Sequence, residues 1–245
     1  MTGPAVLIER VSKSYGDVRA LVDVSVDVPQ GACVALVGES GSGKTTLLRC
    51  INRLVAFDAG RITVFGTDVL QSEPVALRRA IGYVPQDGGL LPHWRVRRNV
   101  ALVPWLDGAA DATARAERAM AAVGLEPAMA ERWPHELSGG QQQRAAVARA
   151  VAGGQSLVLL DEPFGALDAI ARSDLQAMMI ALRETSSLTL VLVTHDLREA
   201  FRLATHVVVM RAGRVEQQAP PAAIRATPAT SYVSALLARA GVEAA

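Results

Sequence analysis

Short apolar runs bounded by turn-forming residues recur along this chain, at residues 32–37, 157–160, 188–193 and 206–210. Their shortness and their Val and Leu content predict buried strands. Between them, apolar positions fall at helical spacing. Leu47, Leu48, Ile51 and Leu54 form one stripe, and Ile170, Leu175, Met178, Met179 and Leu182 form another. Strands alternating with helices predict the α/β class, with a parallel sheet at its centre. Residues 6–11 and 21–28 read as two further strands, joined through the turn Ser14-Tyr15-Gly16-Asp17, which predicts a small antiparallel sheet at the start. From 96 to 151 no strand pattern occurs; Ala-rich helical stretches broken at Pro104, Gly124 and Pro134 predict a helical lobe inserted into the α/β body. After Gln218, Pro220 and Pro221 open a tail that closes on Tyr232, Val233, Leu236 and Leu237, placed on one helix. There is no internal repeat and no low-complexity segment.

Composition narrows the function. Half of the 245 residues are hydrophobic and 20% are charged, which predicts a folded body rather than an extended disordered chain. The 25 basic and 24 acidic residues leave a net charge of +1, without the basic excess that nucleic-acid binding draws on. Cys33 and Cys50 show neither metal-ligand nor disulfide spacing, and fit a reducing compartment. No apolar run approaches the roughly 20 residues of a membrane span, and the N-terminus lacks the pattern of a signal peptide. Only two of the basic residues are lysines, Lys13 and Lys44, so a lysine inside a motif carries weight.

Lys44 lies in such a motif. Gly38, Glu39, Ser40, Gly41, Ser42, Gly43, Lys44 and Thr45 match GxxxxGK[ST], after a predicted strand and at the opening of a predicted helix. The glycines let the backbone curl until successive N–H groups face one concavity, and the helix start adds partial positive charge. Phosphate is the matching ligand. Lys44 is expected to reach the β- and γ-phosphates, and the Thr45 hydroxyl to ligate Mg²⁺.

Hydrolysis needs a second half. Four apolar residues, 157–160, lead into Asp161 and Glu162 at the C-terminal end of a strand, where open α/β sheets bind ligands. Asp161 is expected to hold Mg²⁺ and Glu162 to act as general base toward water. His195 ends the next strand, at the same edge of the sheet, and is expected to contact the γ-phosphate. The other histidines receive no catalytic role. Ser138 and Gln141 have the S-x-x-Q spacing of a capping box, so a helix starts there with N–H groups available to an anion.

Leu137-Ser138-Gly139-Gly140-Gln141, followed by Gln142-Gln143-Arg144, resembles the signature of ATP-binding cassette proteins. The resemblance covers nearly the whole chain. In family order it runs through Tyr15, the loop from Gly38 to Thr46, Gln86, the signature, Asp161 with Glu162, the turn Ala166-Leu167-Asp168, and His195. It implies a RecA-like P-loop NTPase core with an N-terminal antiparallel β lobe and an inserted helical lobe, all in one ATPase domain. The core and β lobe would take 1–86 and 153–218, the lid loop and helical lobe 87–152, and the helical tail 219–245. The implied ligands are ATP and Mg²⁺. Tyr15 would stack on adenine, Gln86 would meet Mg²⁺ or the attacking water, and Asp168 would belong to the nucleotide site. Two copies would clamp two ATP molecules head to tail, each between one loop and the partner's signature. Residues 87–94 are unusually apolar for a loop; they either tuck into the helical lobe or line a groove for a partner helix.

Cassette proteins that act on nucleic acid or ribosomes carry long coiled coils or two cassettes per chain, and neither fits here, so no direct nucleic-acid partner is expected. The chain is instead similar to the ATPase subunit of a bacterial importer, at the cytoplasmic face of the cell membrane, beneath transmembrane permease subunits served by a solute-binding protein. Cys50-Ile51-Asn52-Arg53-Leu54 and Gly82-Tyr83-Val84-Pro85-Gln86 through His93 resemble the osmoprotectant and quaternary-amine group, which takes up glycine betaine, choline or proline. Pro163-Phe164-Gly165-Ala166-Leu167-Asp168 is shared with nitrate, sulfonate and taurine importers, which remain the alternative with amino-acid importers. Many osmoprotectant ATPases carry a C-terminal regulatory module, which is not expected in this sequence.

Overall fold

The computed structural model describes residues 3–242. Along the chain run β1 (Val6–Tyr15), β2 (Val18–Val28), β3 (Cys33–Val37), α1 (Lys44–Ile51), β4 (Ala59–Val64), β5 (Thr67–Asp68) and α2 (Pro74–Ala80). There follow β6 (Ile81–Val84), α3 (Val96–Val100), α4 (Leu102–Leu106), α5 (Ala112–Ala122), α6 (Gly139–Val151), β7 (Leu157–Asp161) and α7 (Ala169–Ser186). The chain closes with β8 (Thr189–Val193), α8 (Leu197–Leu203), β9 (His206–Arg211), β10 (Arg214–Ala219), α9 (Pro221–Ala226) and α10 (Ser231–Ala240). These elements form two compact bodies, one from the segments up to Arg78 and from Thr189 onward, the other from Arg79–Leu188.

The first body holds two groups of strands. In one, the strand order is β2-β1-β4-β5, antiparallel throughout. The β1–β2 hairpin turns through Gly16 and Asp17, with Gly16 at φ 56°, the left-handed region that a two-residue hairpin demands. Pattern reading missed β4 because its first three residues, Ala59, Gly60 and Arg61, are exposed and only Ile62–Val64 is buried, too short a run to register. In the other group, β3 lies between parallel β8 and β9, and β10 runs antiparallel along β9. Every residue of β3 and β8 is buried, as expected of parallel strands covered on both faces. β10 was missed for the opposite reason: as RVEQQA along β9, it buries none of its residues fully and carries no apolar signal.

In the second body β6 and β7 pair in parallel, Gly82 opposite Val158. A Cβ on Gly82 would lie 2.3 Å from the Ala150 carbonyl oxygen, so only glycine lets α6 approach the strand this closely. Small buried side chains, Ala116 and Ala119 on α5 and Ala145 and Ala148 on α6, line the helical packing. Arg144 donates to the Val123 carbonyl at 2.7 Å, satisfying the end of α5.

Three expectations need correction. Leu54 is 48% exposed, because α1 ends at Ile51 and Arg53 turns left-handed at φ 56°. Ile170 is 77% exposed: it sits in the first turn of α7, before the buried stripe that starts at Leu175. Pro104 does not break a helix. It sits in the first turn of α4, where the missing N–H costs nothing, and the break falls at Ala101 and again after Leu106.

Candidate active site

The phosphate loop leaves the buried end of β3. Gly38 has φ 150°, and a Cβ there would lie 2.1 Å from the Met210 carbonyl oxygen; Gly43 has φ 100°, and its Cβ would lie 2.4 Å from the Ala20 carbonyl. The Gly213 N–H donates to the Ser42 carbonyl at 3.1 Å. The loop is thus wedged between β2 and the β9–β10 turn. Nothing lies within 4 Å of a Cβ built on Gly41, so the crest of the loop opens outward. Gly43 caps α1 with backbone alone, and the helix begins with Lys44 and Thr45. Lys44, only 5% exposed, donates to the Gly38 carbonyl at 2.8 Å, the Glu39 carbonyl at 2.9 Å and the Ser42 hydroxyl at 3.3 Å. An ammonium ringed by carbonyl oxygens inside a glycine loop is held where a polyanion would enter.

Glu39 is engaged from the tail: its N–H donates to the Tyr232 hydroxyl at 3.3 Å, and Arg239 pairs with its carboxylate at 2.9 Å. Tyr232 and Arg239 are contacts of the loop that sequence reading did not find, because they lie nearly 200 residues away. Tyr15 stands at the end of the β1–β2 ribbon, 49% exposed.

Parallel pairing of Leu36 with Val193, and the Thr194 N–H donating to the Leu36 carbonyl at 3.2 Å, bring the ends of β3 and β8 level. His195 follows, exposed, at the same edge as the phosphate loop. The turn that carries it is fixed from below. The buried Thr194 hydroxyl donates to the Glu199 carboxylate at 2.6 Å and accepts from the Asp196 N–H at 3.0 Å, while Asp196 caps α8 through the Arg198 N–H. Thr194 and Glu199 were overlooked; the D-x-x-E spacing after a strand was the available signal.

In the second body β7 delivers Asp161, 1% exposed, and Glu162 follows with φ 49°, a left-handed conformation that costs a non-glycine residue roughly 1–2 kcal/mol. Such strain at a carboxylate after a strand is the kind that functional sites retain. Asp168 caps α7, accepting from the Ile170 and Ala171 N–H groups at 3.0 and 2.9 Å. Ser138 and Gln141 form the expected capping box: the Gln141 N–H donates to the Ser138 hydroxyl at 3.3 Å and the Ser138 N–H to the Gln141 amide oxygen at 3.0 Å. Gly139 and Gly140 open α6 against α7; a Cβ on Gly140 would lie 3.2 Å from that of Ala171.

Gln86 is exposed just after β6. Beyond it, Arg149 of α6 donates to the carbonyls of Gly89 and Gly88 at 2.6 and 2.9 Å, tying the loop after Gln86 to the signature helix. Burial lowers the Arg149 pKa, opposed by the charge of Asp87, and the guanidinium remains a cation. Fully buried Asn99 accepts from the Leu91 N–H at 2.7 Å and donates to the Leu91 and Trp94 carbonyls at 3.0 Å each. The backbone of residues 87–94 is pinned to the helical lobe, and at its end Trp94 joins Trp105 and Trp133 around a cavity of about 390 Å³. Arg98 lies over the Trp94 ring at 4.1 Å and Arg95 over Trp133 at 4.9 Å.

A glycine loop with a buried lysine ahead of a helix, and a buried aspartate with a strained glutamate after a strand, define an α/β P-loop nucleoside triphosphatase. Comparison with known proteins makes this specific. The family model described as ABC transporter matches residues 21–165. The chain belongs to the ABC transporter family and is its ATP-hydrolysing cassette. It is 45% identical to the glycine betaine uptake system ATP-binding protein of Escherichia coli (strain K12) over 231 residues, 94% of this chain and 75% of that protein. It is 42% identical to the glycine betaine/carnitine/choline transport ATP-binding protein of Bacillus subtilis (strain 168) over 237 residues, 95% of this chain but 62% of that protein. Import ATP-binding proteins for other solutes match as well. Among solved structures, a dimeric ATP-binding cassette in a post-hydrolysis state, bound to ADP and Pi, superposes with a TM-score of 0.79 at 31% identity, covering 88% of this chain and 98% of that one.

Proposed function

We propose that the chain powers the import of a quaternary-amine osmoprotectant such as glycine betaine, choline or proline, acting as a homodimer on permease subunits at the cytoplasmic face of the membrane, fed by a solute-binding protein. The observation that carries this reading is the 45% identity to a glycine betaine uptake ATPase across 94% of the chain. Matches to importers of other solutes keep a second reading, another small-solute importer, as the alternative. Among the described residues no helix is long and apolar enough to cross a membrane, so translocation is assigned to the permease partner.

In this reading Lys44 leaves the loop carbonyls for the β- and γ-phosphates, and the N–H groups from Gly38 to Thr46, with the Ser40 and Ser42 segment between them, cradle the chain of oxygens. Tyr15 stacks on adenine. Mg²⁺ is ordinarily held by one or two carboxylates together with substrate phosphates, and the buried Asp161 carboxylate and the Thr45 hydroxyl are hard oxygen donors of that kind. When bound, the ion would neutralise charge on the transferring phosphoryl group. Glu162 accepts a proton from the attacking water, His195 donates to the γ-phosphate, and Gln86 orients the water and reports its presence to the helical lobe. Ser138, Gly139, Gly140 and Gln141 of a second copy close on the same γ-phosphate, and Asp168 fixes the neighbouring turn. The capped, glycine-opened start of α6 supports this: its first N–H groups are oriented and no Cβ at Gly139 or Gly140 shields them.

The test is uptake. Co-expression with its permease in cells lacking betaine import should restore accumulation of labelled glycine betaine, and Glu162→Gln should abolish it. Restored uptake of sulfate or an amino acid instead would transfer the assignment to the alternative.

A further inference from the structure

The chain spends one of its two lysines beside Tyr15. Lys13 donates to an Asp58 carboxylate oxygen at 2.8 Å, and the Ser14 N–H donates to the other oxygen at 2.7 Å. The Asp58 N–H in turn donates to the Ser12 carbonyl at 2.8 Å. One aspartate, from the loop before β4, therefore grips the three residues that lead into Tyr15. The Lys13 ammonium lies over the Tyr15 ring, 5.3 Å from its centroid. The Lys13 side chain is 15% exposed although the ring beside it is half open. Apart from Lys44, arginine supplies every other cationic Lys or Arg side chain, so the compact ammonium at position 13 departs from the chain's own habit. The Lys13 and Ser14 donors hold the Asp58 carboxyl below its ordinary range, so the grip is ionic at neutral pH.

The position is tied to the phosphate loop. Tyr15 pairs across the hairpin with Val18, and two residues further along β2, roughly 7 Å at strand spacing, the Ala20 carbonyl abuts Gly43 of the loop. We propose that Asp58 and Lys13 are positioning residues for the nucleotide base: Asp58 locks the end of β1, and the Lys13 ammonium settles against one side of the Tyr15 ring, leaving the ring preorganised to receive a purine. The proposal deepens the reading of Tyr15 as the base-stacking residue and rests on it. Neither residue is expected to touch the phosphates.

The probes are ATP and inorganic tripolyphosphate, each bound to the full chain in the presence of Mg²⁺. Removing a group that acts only on the ring frees one rotamer-rich side chain, so Asp58→Ala should raise the Kd for ATP about three- to tenfold while leaving tripolyphosphate affinity and kcat at saturating ATP unchanged. Asp58→Asn, which keeps an acceptor for Ser14 but no charge, should fall between, as should Lys13→Met. Tyr15→Ala is run alongside. If it leaves ATP affinity unchanged, the stacking reading fails and takes the proposal with it. If it weakens ATP alone while Asp58→Asn and Lys13→Met leave ATP affinity at the wild-type value, or weaken both ligands equally, the positioning role is overturned and stacking stands.

Discussion

The Lys44 ammonium lies 2.8 Å from the carbonyl oxygen of Gly38, six residues earlier, and is buried there. The loop satisfies its own cation, so the proposed phosphate binding would exchange these partners for phosphate oxygens. A charge-assisted hydrogen bond contributes about 1.5–3 kcal/mol, so Lys44→Ala should weaken ATP binding roughly 10- to 150-fold. Isothermal titration with ATP checks this; an unchanged Kd would remove Lys44 from the phosphate site.

The loop glycines should differ sharply from one another. Gly38→Ala puts a Cβ against the Met210 carbonyl and should cost about 2–5 kcal/mol, from overpacking plus backbone strain. Gly41→Ala meets open space at φ 78° and should cost only about 1–2 kcal/mol. Thermal unfolding separates them, at about 2–4 °C per kcal/mol for a chain of this size.

Glu162 sits at φ 49° whatever its side chain does. Glu162→Gly should therefore be more stable than Glu162→Ala by about 1 kcal/mol, and, if Glu162 is the proposed general base, both should lose turnover about 100-fold or more. Equal melting temperatures would show that the left-handed backbone is not strained. Glu162→Gln should keep ATP binding and trap a dimer, visible by light scattering.

At Ser138, capping and anion binding make opposite demands. Ser138→Ala loses the cap and about 1 kcal/mol of stability. Ser138→Asp keeps a good cap but points a carboxylate at the expected γ-phosphate, where like charges cost several kcal/mol. Its melting temperature should stay near wild type while ATPase activity falls about tenfold or more. Wild-type activity in Ser138→Asp would mean that this helix start serves local stability alone.

The Asp58 carboxyl is held below its usual pKa by Lys13 and then by the Ser14 N–H. A depressed folded-state pKa adds stability above the unfolded carboxylate range, and that stability disappears as pH falls through the folded value. Between neutral pH and about pH 3, Asp58→Asn should thus lose less stability than wild type, since it has no proton to gain there. Acid titrations followed by circular dichroism compare the two slopes.

Much of the fold was legible because its signals are local. The phosphate loop needs glycines at fixed offsets, and a buried parallel strand such as β3 is apolar without interruption. The Ser138–Gln141 capping box is closed over three residues. What escaped were elements whose identity depends on a neighbour. β10 is polar and becomes a strand only because β9 offers it an edge; Leu54 and Ile170 carry the right period but lie where the helix has ended or has not yet met its partner.

The sequence alone carried the family and the proposed reactive groups, a lysine, a hydroxyl, two carboxylates and a histidine in the order of a cassette ATPase, since such groups must be encoded one by one. Only folding decided that Tyr232 and Arg239 reach Glu39, that Arg149 ties down the loop after Gln86, and that Asp58 grips the strand end before Tyr15. Those contacts join residues from 44 to 200 positions apart. A hydrogen bond across such a span leaves no periodicity in the chain, and exists only once burial elsewhere has compensated the entropy of closing the loop between its ends.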